Sequence, residues 1–318
     1  MRTIVLNSTD IVNTSGGLNS TFAFTFPPGL GKFKGAKVAL VGLSTYYSEF
    51  NITAANNNNR FSYAWVDGTS HTAVIPDGFY IVDDLQTYFQ FVMKQNTHYL
   101  MDNVGNLVFL FLLSTDPTQY SVMLNCFGID TSVATAQKWT LPSGASWAIP
   151  TTYIVPIFTV LSNAFASVIG FASSNYPNAT ITYTAPFTRS ESPLCSSTQS
   201  FTSSVAPQVS PTSSYNILCN IANNKYNLQS TFIYNYLVQA GTGFGGGYNI
   251  APPQLIWIPV QDKEQQSCTV RITDQNFKPV SWQDTDTSIT LAILTDEELL
   301  ELQGNTAGVM SYIGKSVM

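Results

Sequence analysis

Thr21-Phe22-Ala23-Phe24-Thr25-Phe26, followed at once by Pro27-Pro28, is the stretch that decides the fold of this chain. Its three phenylalanines recur at every second position, the period at which side chains of a β-strand point to the same face. The prolines end the strand because proline has no N–H to donate to a neighbouring strand. The stretch therefore predicts a half-buried strand with one apolar face.

Strands of this kind recur along the chain and are joined by turns rich in Gly, Pro and Asn. Lys37 to Tyr47 is rich in β-branched and aromatic residues, with Gly42 as an expected bulge, and Asp67-Gly68 signals a hairpin. About a dozen strands are predicted, the others lying at residues 61–65, 71–75, 107–113, 119–125, 216–221, 230–238, 255–260, 268–273 and 288–294. This spacing favours a sandwich over a β-α-β fold. The predicted class is all-β, an eight-stranded antiparallel jelly roll with an additional β-rich insertion; a compact double jelly roll is the alternative.

One convincing helix is predicted, from Leu85 to about residue 96. Asp83 or Asp84 is expected to cap it by accepting hydrogen bonds from free amides of the first turn. Four residues at helical spacing form the face that would lie on a sheet: Leu85, Tyr88, Phe89 and Val92. A helical turn within 165–171 and a short helix over 296–302 are also expected.

The composition is unusual in its charge. Only 10% of the 318 residues are Asp, Glu, Lys or Arg, against roughly 25% in an average soluble domain. Between Trp139 and Gln261 the charged residues are Arg189, Glu191 and Lys225. Since charged residues are depleted from the cores of protein interfaces, this favours a subunit buried against neighbouring copies. A secreted domain with a neutral polar surface is the alternative.

Several functional classes are disfavoured by the same inventory. The net charge is −6 and Arg2 is the one basic residue among the first 31, so we expect no specific binding of nucleic acid. The N-terminus lacks the apolar stretch of a signal peptide. The longest apolar run, Leu107 to Leu113, is far too short for a membrane span.

No catalytic, cofactor-binding or metal-ligating residue is predicted. His71 and His98 are far apart in sequence and read as ordinary sheet or loop histidines. Four scattered cysteines without a C-x-x-C pair are expected to be reduced and buried: Cys126, Cys195, Cys219 and Cys268.

Three short motifs imitate binding sites. The glycines at 241, 243 and 246 match a dinucleotide fingerprint, but no helix follows them, and Gly314-Lys315-Ser316 lacks the first glycine of a phosphate loop. Asp284-Thr285-Asp286 could share a calcium ion, although a solvated turn fits the pattern better. We expect no cofactor and no enzymatic activity.

The chain is expected to form one jelly-roll subunit over 1–318, with a surface insertion or second β-rich subdomain within about 126–214. Residues 188–214 are rich in Ser, Thr and Pro, with Arg189 and Glu191 as their charges. Because Pro193, Pro207 and Pro211 interrupt regular structure, this segment is predicted to be an extended surface excursion ordered by its contacts.

Four segments resemble a viral capsid family. They are Lys37 to Trp65 around Thr45-Tyr46-Tyr47-Ser48-Glu49-Phe50-Asn51-Ile52, Ile75-Pro76-Asp77-Gly78-Phe79-Tyr80, Phe165 to Tyr176 around Ile169-Gly170-Phe171, and Thr273-Asp274-Gln275-Asn276-Phe277-Lys278-Pro279-Val280. The family is that of Polinton/Maverick elements, Polinton-like viruses and virophages. The likeness covers most of residues 37–294, and its motifs are packing and turn elements, so it carries over no site residues.

The resemblance implies a structural protein of an icosahedral virion, assembled inside the host cell. It implies the penton, a minor capsid protein that forms homopentamers at the five-fold vertices and contacts the major capsid protein. Two alternatives stay open. One is a major capsid protein with a compact double jelly roll, and the other is a glycan-binding jelly-roll module for host attachment, in which exposed aromatic rings would stack on sugars.

Overall fold

The computed structural model describes residues 2–12, 19–102, 104–128, 140–150, 153–183, 199–209, 212–238, 243–295 and 298. The chain divides into two compact units: Met1–Glu49 with Thr212–Met318, and Phe50–Pro211. Two α-helices are described, α1 (Val82–Gln95) and α2 (Phe165–Ile169), together with a 3-10 turn at Ser8–Asp10. The strands of the described residues are β1 (Arg2–Leu6), β2 (Thr21–Thr25), β3 (Ala36–Tyr46), β4 (Arg60–Ala64), β5 (Ser70–Val74), β6 (Leu100–Met101), β7 (Leu107–Val108), β8 (Phe111–Asp116), β9 (Ser121–Cys126), β10 (Tyr153–Ile154), β11 (Ile157–Val160), β12 (Ser174–Tyr176), β13 (Thr182–Tyr183), β14 (Gln199–Thr202), β15 (Ser214–Cys219), β16 (Phe232–Leu237), β17 (Gly247–Ile250), β18 (Ile258–Pro259), β19 (Ser267–Asp274) and β20 (Ser288–Thr295).

The first unit is a jelly roll. Its two antiparallel sheets have the strand orders β1-β20-β3-β17, with β18 also paired to β3, and β16-β15-β19-β2. The chain crosses between the sheets at almost every connection, and each sheet pairs strands from opposite ends of the sequence, as in two interlocked Greek keys. The predicted eight-stranded jelly roll is therefore confirmed, and we call Met1–Glu49 with Thr212–Met318 the jelly-roll unit.

The long pairing of β3 with β20 shows how sequence and register agree. It runs from Ser288 opposite Ser44 to Thr295 opposite Ala36, with an irregularity where Thr290 faces Gly42 and Leu291 faces Leu40. The bulge expected at Gly42 is therefore present, and Val41 is the extra residue on its strand.

The alternating stretch Thr21–Phe26 forms β2 (Thr21–Thr25) as predicted. Phe22 is fully buried, and Phe24 and Phe26 lie half-buried on the same face. Their rings pack edge to face at 5.5 Å, and Phe26 packs in the same way on Phe33 at 5.1 Å. The aromatic side of this strand therefore has a buried end and an end close to the surface.

The second unit, Phe50–Pro211, is inserted between β3 and β15, and we call it the inserted unit. Its sheets have the orders β12-β11-β4-β5 and β14-β9-β8, accompanied by the short ladders β6-β7 and β10-β13, and α1 packs against β8. These orders are not those of a jelly roll, so the described residues contain one jelly roll rather than two. The sequence predicts a surface insertion or second β-rich subdomain within about 126–214. The compact unit seen in the structure begins at Phe50, because β4, β5 and α1 share its core.

Helix α1 runs from Val82 to Gln95 and buries Leu85, Phe89 and Val92, with Tyr88 half-buried. The predicted helix and its apolar face are confirmed. The expected cap is corrected, since Ile81 occupies the N-cap position and its N–H donates to Oδ2 of Asp84 at 3.0 Å. Asp83 and Asp84 thus lie inside the first turn, where their charges favour the positive end of the helix dipole.

Several predicted strands and helices differ from the structure in their bounds. The predicted strand 107–113 is split into β7 and β8, and of 255–260 only Ile258–Pro259 is a strand. In the excursion predicted for 188–214, residues 199–202 form β14, an extended strand paired with β9; residues 188–198 and 210–211 lie outside the described residues. The helix expected over 296–302 also lies outside them, apart from Glu298, whereas the helical turn at 165–171 is α2.

Candidate functional site

The described residues contain no group of three His, Cys, Asp or Glu side chains placed to share a metal ion. The glycine loop leads directly into β17 at Gly247, so a strand stands where a dinucleotide site needs a helix; Gly241 and the 314–316 motif lie outside the described residues. Asp284 Oδ1 accepts the N–H of Asp286 at 2.9 Å, which is the turn that the sequence favoured over a calcium site.

The two histidines, which the sequence kept apart, lie side by side in the inserted unit. Their ring centroids are 4.5 Å apart, and the ring of His98 stacks on Trp65 at 4.8 Å. The hydroxyl of Tyr63 accepts a hydrogen bond from Asn96 and lies 2.9 Å from Nδ1 of His98. Which of the two atoms donates in this second hydrogen bond is set by the tautomer of His98, because a hydroxyl can donate one hydrogen bond and accept two.

The environment keeps His98 neutral. Burial lowers the pKa of His98 to about 4, and the neighbouring His71 contributes in the same direction. Burial raises the pKa of Tyr63 to about 12, so this hydrogen bond stays in one protonation state over a wide pH range. His98 is buried among aromatic rings, whereas His71 is half-buried and its Nε2 lies 2.9 Å from Oγ1 of Thr69.

The pairing of Tyr63 with His71 could have been predicted from the sequence, whereas the position of His98 could not. The Asp67-Gly68 hairpin sets the register of β4 and β5, which places Tyr63 opposite His71. The position of His98 depends on how the end of α1 packs on the sheet, and no local pattern encodes that.

A buried carboxylate lies where the chain leaves the jelly-roll unit and returns to it. Glu49 is the last residue before the inserted unit and Thr212 the first after it. Oε2 of Glu49 accepts hydrogen bonds from Thr212 Oγ1 at 3.0 Å and from the Tyr215 hydroxyl at 3.2 Å. Burial raises the pKa of Glu49, while these two hydrogen bonds lower it. The carboxylate thus links Glu49, where the chain leaves the jelly-roll unit, to Thr212, where it returns.

The cysteines of the described residues are free and buried: Cys126, Cys219 and Cys268. Sγ of Cys219 and Sγ of Cys268 lie 3.6 Å apart on adjacent strands, and this contact together with burial raises the pKa of Cys268. As predicted, these thiols are core residues; Cys195 lies outside the described residues.

The segments that carry the family resemblance contain tightly bonded turns between regular elements. Asn51 donates to the carbonyls of Tyr80 and Val209, each at 2.7 Å, and its Oδ1 accepts the Tyr80 N–H at 2.9 Å. Gly170 ends α2 with φ 75°, and a Cβ there would lie 2.2 Å from the carbonyl oxygen of Val205. These residues fix the backbone and offer no group to a substrate.

One side of the jelly-roll unit forms an uncharged edge, which we define as β16, β17 and the loop 223–231. The two edge strands lie on the same side of the sandwich, since the rings of Tyr236 and Tyr248 meet across it at 6.3 Å. From 212 to 260 the only charged residue is Lys225. Three large side chains of this edge are nonetheless exposed: Tyr226 at 101%, Leu228 at 103% and Leu237 at 72%. Tyr226 and Leu228 lie in the loop before β16 and Leu237 at the last position of β16, so both ends of this edge expose apolar side chains.

The opposite side carries an apolar groove of about 380 Å³, which we call the β1–β2 groove. Its lining consists of Arg2, Thr3, Ile4, Phe24, Phe26, Pro27, Leu30, Phe33 and Ile293. Leu30 is largely exposed, and the guanidinium of Arg2 lies 6.0 Å from the ring centre of Phe33. Lys32 and Lys34 are exposed on either side of Phe33 in the chain. The groove is therefore apolar inside with basic residues near it.

A further groove, the Tyr120 groove, lies in the inserted unit where the β8–β9 hairpin turns. It is lined by Ile81, Val82, Thr115, Asp116, Pro117, Tyr120, Ser121, Pro207 and Val209. Tyr120 is exposed and has φ 50°, a left-handed conformation that tyrosine rarely adopts. An aromatic ring held open to solvent at a conformational cost is a candidate contact with a flat ligand.

No helix of the described residues is long and apolar enough to cross a membrane.

No family model matches the sequence, and no curated protein matches it significantly. Among solved structures, the chain is similar to the mavirus penton protein, with 8% identity and a TM-score of 0.42, over 92% of this chain and 98% of that chain. It is also similar to a chain of the Sputnik virophage solved by cryo-EM, with 11% identity and a TM-score of 0.38, over 93% and 99% of the two chains. At such low identities and TM-scores, the likeness assigns no activity and no partner to this chain.

Proposed function

We propose that this protein is a structural subunit of an icosahedral, virophage-like capsid, and that it is the penton protein of the five-fold vertices. The observation that carries the proposal is the architecture: one complete jelly roll whose β3–β15 connection contains an entire second unit. A single jelly roll with a large insertion is the architecture expected of a vertex subunit. The alternative, a major capsid protein, would have a double jelly roll. The motifs quoted from the sequence support the same family.

The surface of the jelly-roll unit supports assembly. Tyr226, Leu228 and Leu237 are exposed on an edge that has Lys225 as its one charged residue. Burial of apolar surface drives protein association, and a charge-poor edge loses little on leaving water. We propose that this uncharged edge is the contact between copies in a homopentamer, that the pentamer meets the major capsid protein in the virion, and that the role is structural and not catalytic.

Electron microscopy of the purified full-length protein tests the proposal. We expect rings with five-fold symmetry at high protein concentration, and we expect Leu228→Asp to abolish them because it places a charge in the contact. The matched control is Val104→Asp, which changes an exposed residue of the inserted unit and should leave the rings intact. Three-fold rings would favour the major capsid role, and a stable monomer at high concentration would contradict assembly.

A second candidate function, glycan binding for host attachment, is favoured by Tyr120. Its ring is 72% exposed beside Asp116 and Thr115, and sugar-binding sites combine an aromatic platform with such hydrogen-bonding groups. A glycan array probed with the wild type and with Tyr120→Ala tests it. Binding that disappears in the variant would support attachment, and the absence of binding by the wild type would remove this candidate.

A further inference from the structure

The uncharged edge and the β1–β2 groove lie on opposite sides of the jelly-roll unit. In the sheet of order β16-β15-β19-β2, the edge strand β16 and the groove strand β2 are the two outer strands. In the other sheet, β1 is the outer strand on the side away from β17. Each copy therefore presents projecting apolar side chains on one side and an apolar groove on the other.

The two surfaces also lie at the same end of the sandwich. Phe24, which lines the groove, faces Cys268 of β19. Val270, two residues further along β19, faces Cys219, the last residue of β15. The loop 223–231 follows shortly after Cys219, so it lies near the level of the groove. A contact between this loop and the groove of another copy is therefore head to tail and nearly level, and its repetition by rotation can close a ring.

The projecting side chains fit the groove in size and character. Tyr226 and Leu228 are fully exposed, at 101% and 103%. The groove of about 380 Å³ has room for roughly a dozen water-sized groups, and these two side chains together have about that many non-hydrogen atoms. At the groove the guanidinium of Arg2 lies 6.0 Å from the ring centre of Phe33, and a second aromatic ring is attracted to the same cation.

The charges near the two surfaces are compatible. Lys225 is the one charged residue of the uncharged edge, so no cluster of like charges opposes Arg2, Lys32 and Lys34 near the groove. Glu264 is exposed, and its backbone forms a bridge with that of Lys32. It therefore offers Lys225 of a neighbouring copy an acidic partner close to the groove.

The edge is large enough for a specific interface. The six residues of β16, the four of β17 and the loop 223–231 together approach the roughly 20–30 residues that each partner contributes to a standard interface. The loop and the groove are then the centre of a contact that the two edge strands extend.

We propose that Tyr226 and Leu228 of each copy insert into the β1–β2 groove of the next copy. This inference rests on the proposed homopentamer and assigns the two surfaces that meet in it. Leu228 lies against Leu30 of the neighbour, and burial of both partners removes apolar surface from water. A head-to-tail contact of this kind continues around a ring, whereas two identical edges that met each other would stop at a dimer.

Engineered cysteines in the full-length protein test the contact. With oxidised glutathione as the oxidant, Leu228→Cys mixed with Leu30→Cys should give disulfide-linked dimers. The two substitutions in one chain should give linked oligomers up to a pentamer. Each single variant alone is a control and should stay unlinked, as should Val104→Cys mixed with Leu30→Cys, because Val104 is exposed in the inserted unit.

Complementation separates this inference from the proposed function. Leu228→Asp and Leu30→Asp should each be monomeric, whereas an equimolar mixture keeps one intact contact and should give dimers without rings in analytical ultracentrifugation. Five-fold rings of the wild type without linkage between positions 228 and 30 would overturn the inference and leave the homopentamer intact. Rings formed by Leu30→Asp alone would also overturn it. A wild type that forms no five-fold rings would instead overturn the proposed function itself.

Discussion

The two units differ in how far apart along the chain their paired strands lie. In the jelly-roll unit, β1 pairs with β20 and β2 with β19, so its sheets join the two ends of the chain. In the inserted unit, β4 pairs with β5 and β8 with β9 through short hairpins, and α1 packs on β8. Its remaining long-range pairs, β11 with β4 and β14 with β9, stay within residues 50–211. Forming distant pairs costs chain entropy before any contact stabilises them, whereas hairpins form locally. All strand partners of the inserted unit therefore lie in one continuous stretch of chain, whereas those of the jelly-roll unit lie in two separate stretches.

The cores differ in the same sense. The jelly-roll core is rich in aliphatic residues of long strands, such as Val38, Ile217, Val270 and Leu291. The inserted core is built on stacked rings, with Phe61 lying 4.3 Å from Phe89 and 5.5 Å from Phe158 between ring centres. Aromatic side chains bury a large area each, so a few of them can build a core from short strands.

The largest expected effect comes from cutting the chain after Pro211. A protein of residues 1–211 should keep a folded inserted unit and lose the jelly roll, because β1, β2 and β3 lack their partners β20 and β19. Hydrogen exchange should show protected amides in α1, β8 and β9 and unprotected amides in β1 to β3. Protection of β1 to β3 in this fragment would break the comparison.

Within the inserted unit, Phe89→Ala should cost on the order of 3–5 kcal/mol of unfolding free energy, because it leaves a large cavity among rings. Phe89 is fully buried in α1, and Phe91 on the same helix is 50% exposed. Phe91→Ala is therefore the control and should cost less than about 1 kcal/mol. Denaturant titration measures both; equal losses would mean that the ring stack does not hold the helix.

Acid should destabilise the inserted unit through His98. Burial lowers its pKa from the ordinary 6.5 to about 4, so the unfolded state binds the proton more tightly. Its contribution to stability is complete above pH 6.5 and is lost as the pH falls toward 4, by up to about 3 kcal/mol. His98→Gln should flatten this slope, while His71→Gln should leave most of it, because burial is the larger cause. A slope unchanged in His98→Gln would contradict the assignment.

The features that the sequence predicted are those that depend on local patterns, and the features that it missed depend on contacts between distant residues. The Thr21–Phe26 alternation, the Gly42 bulge and the Leu85/Phe89 face depend on local periodicity, and all three are present. The start of the insertion at Phe50 depends on which distant strands share a core, and no local signal marks it.

The polar sites show the same limit. The meeting of His71 with His98 and of Glu49 with Thr212 arises from tertiary packing, and single-sequence patterns do not encode it.

The jelly-roll unit should respond to acid in the opposite direction, through Glu49. Burial raises the pKa of Glu49 above its ordinary 4.5, so the folded state binds the proton more tightly. Its contribution is complete below pH 4.5 and falls as the pH rises through the raised value. Glu49→Gln should remove this dependence and keep an acceptor for Thr212, whereas Glu49→Ala should cost about 1–3 kcal/mol by stranding two hydroxyls. The exposed Glu264→Gln is the control, and its pH profile should match the wild type in calorimetry.

The smallest expected effects come from two aromatic residues in left-handed turns, one in each unit. Tyr120 has φ 50° in the β8–β9 hairpin, and Phe277 has φ 61° in the turn after β19. Left-handed backbone costs a residue with a Cβ roughly 1 kcal/mol, a penalty that glycine avoids. Tyr120→Gly should therefore stabilise the protein by up to about 1 kcal/mol, because the ring is 72% exposed and little packing is lost.

Phe277 is only 37% exposed, so at Phe277→Gly the lost burial should offset the relief of strain. Thermal unfolding of both variants, with Tyr120→Ala as the control that keeps the strain, separates the two cases. Stabilisation by Tyr120→Gly alone would mean that the tyrosine is retained at a cost in stability, as a ligand-contacting ring would be; a loss of stability there would show that the ring packs on the inserted unit and serves the fold.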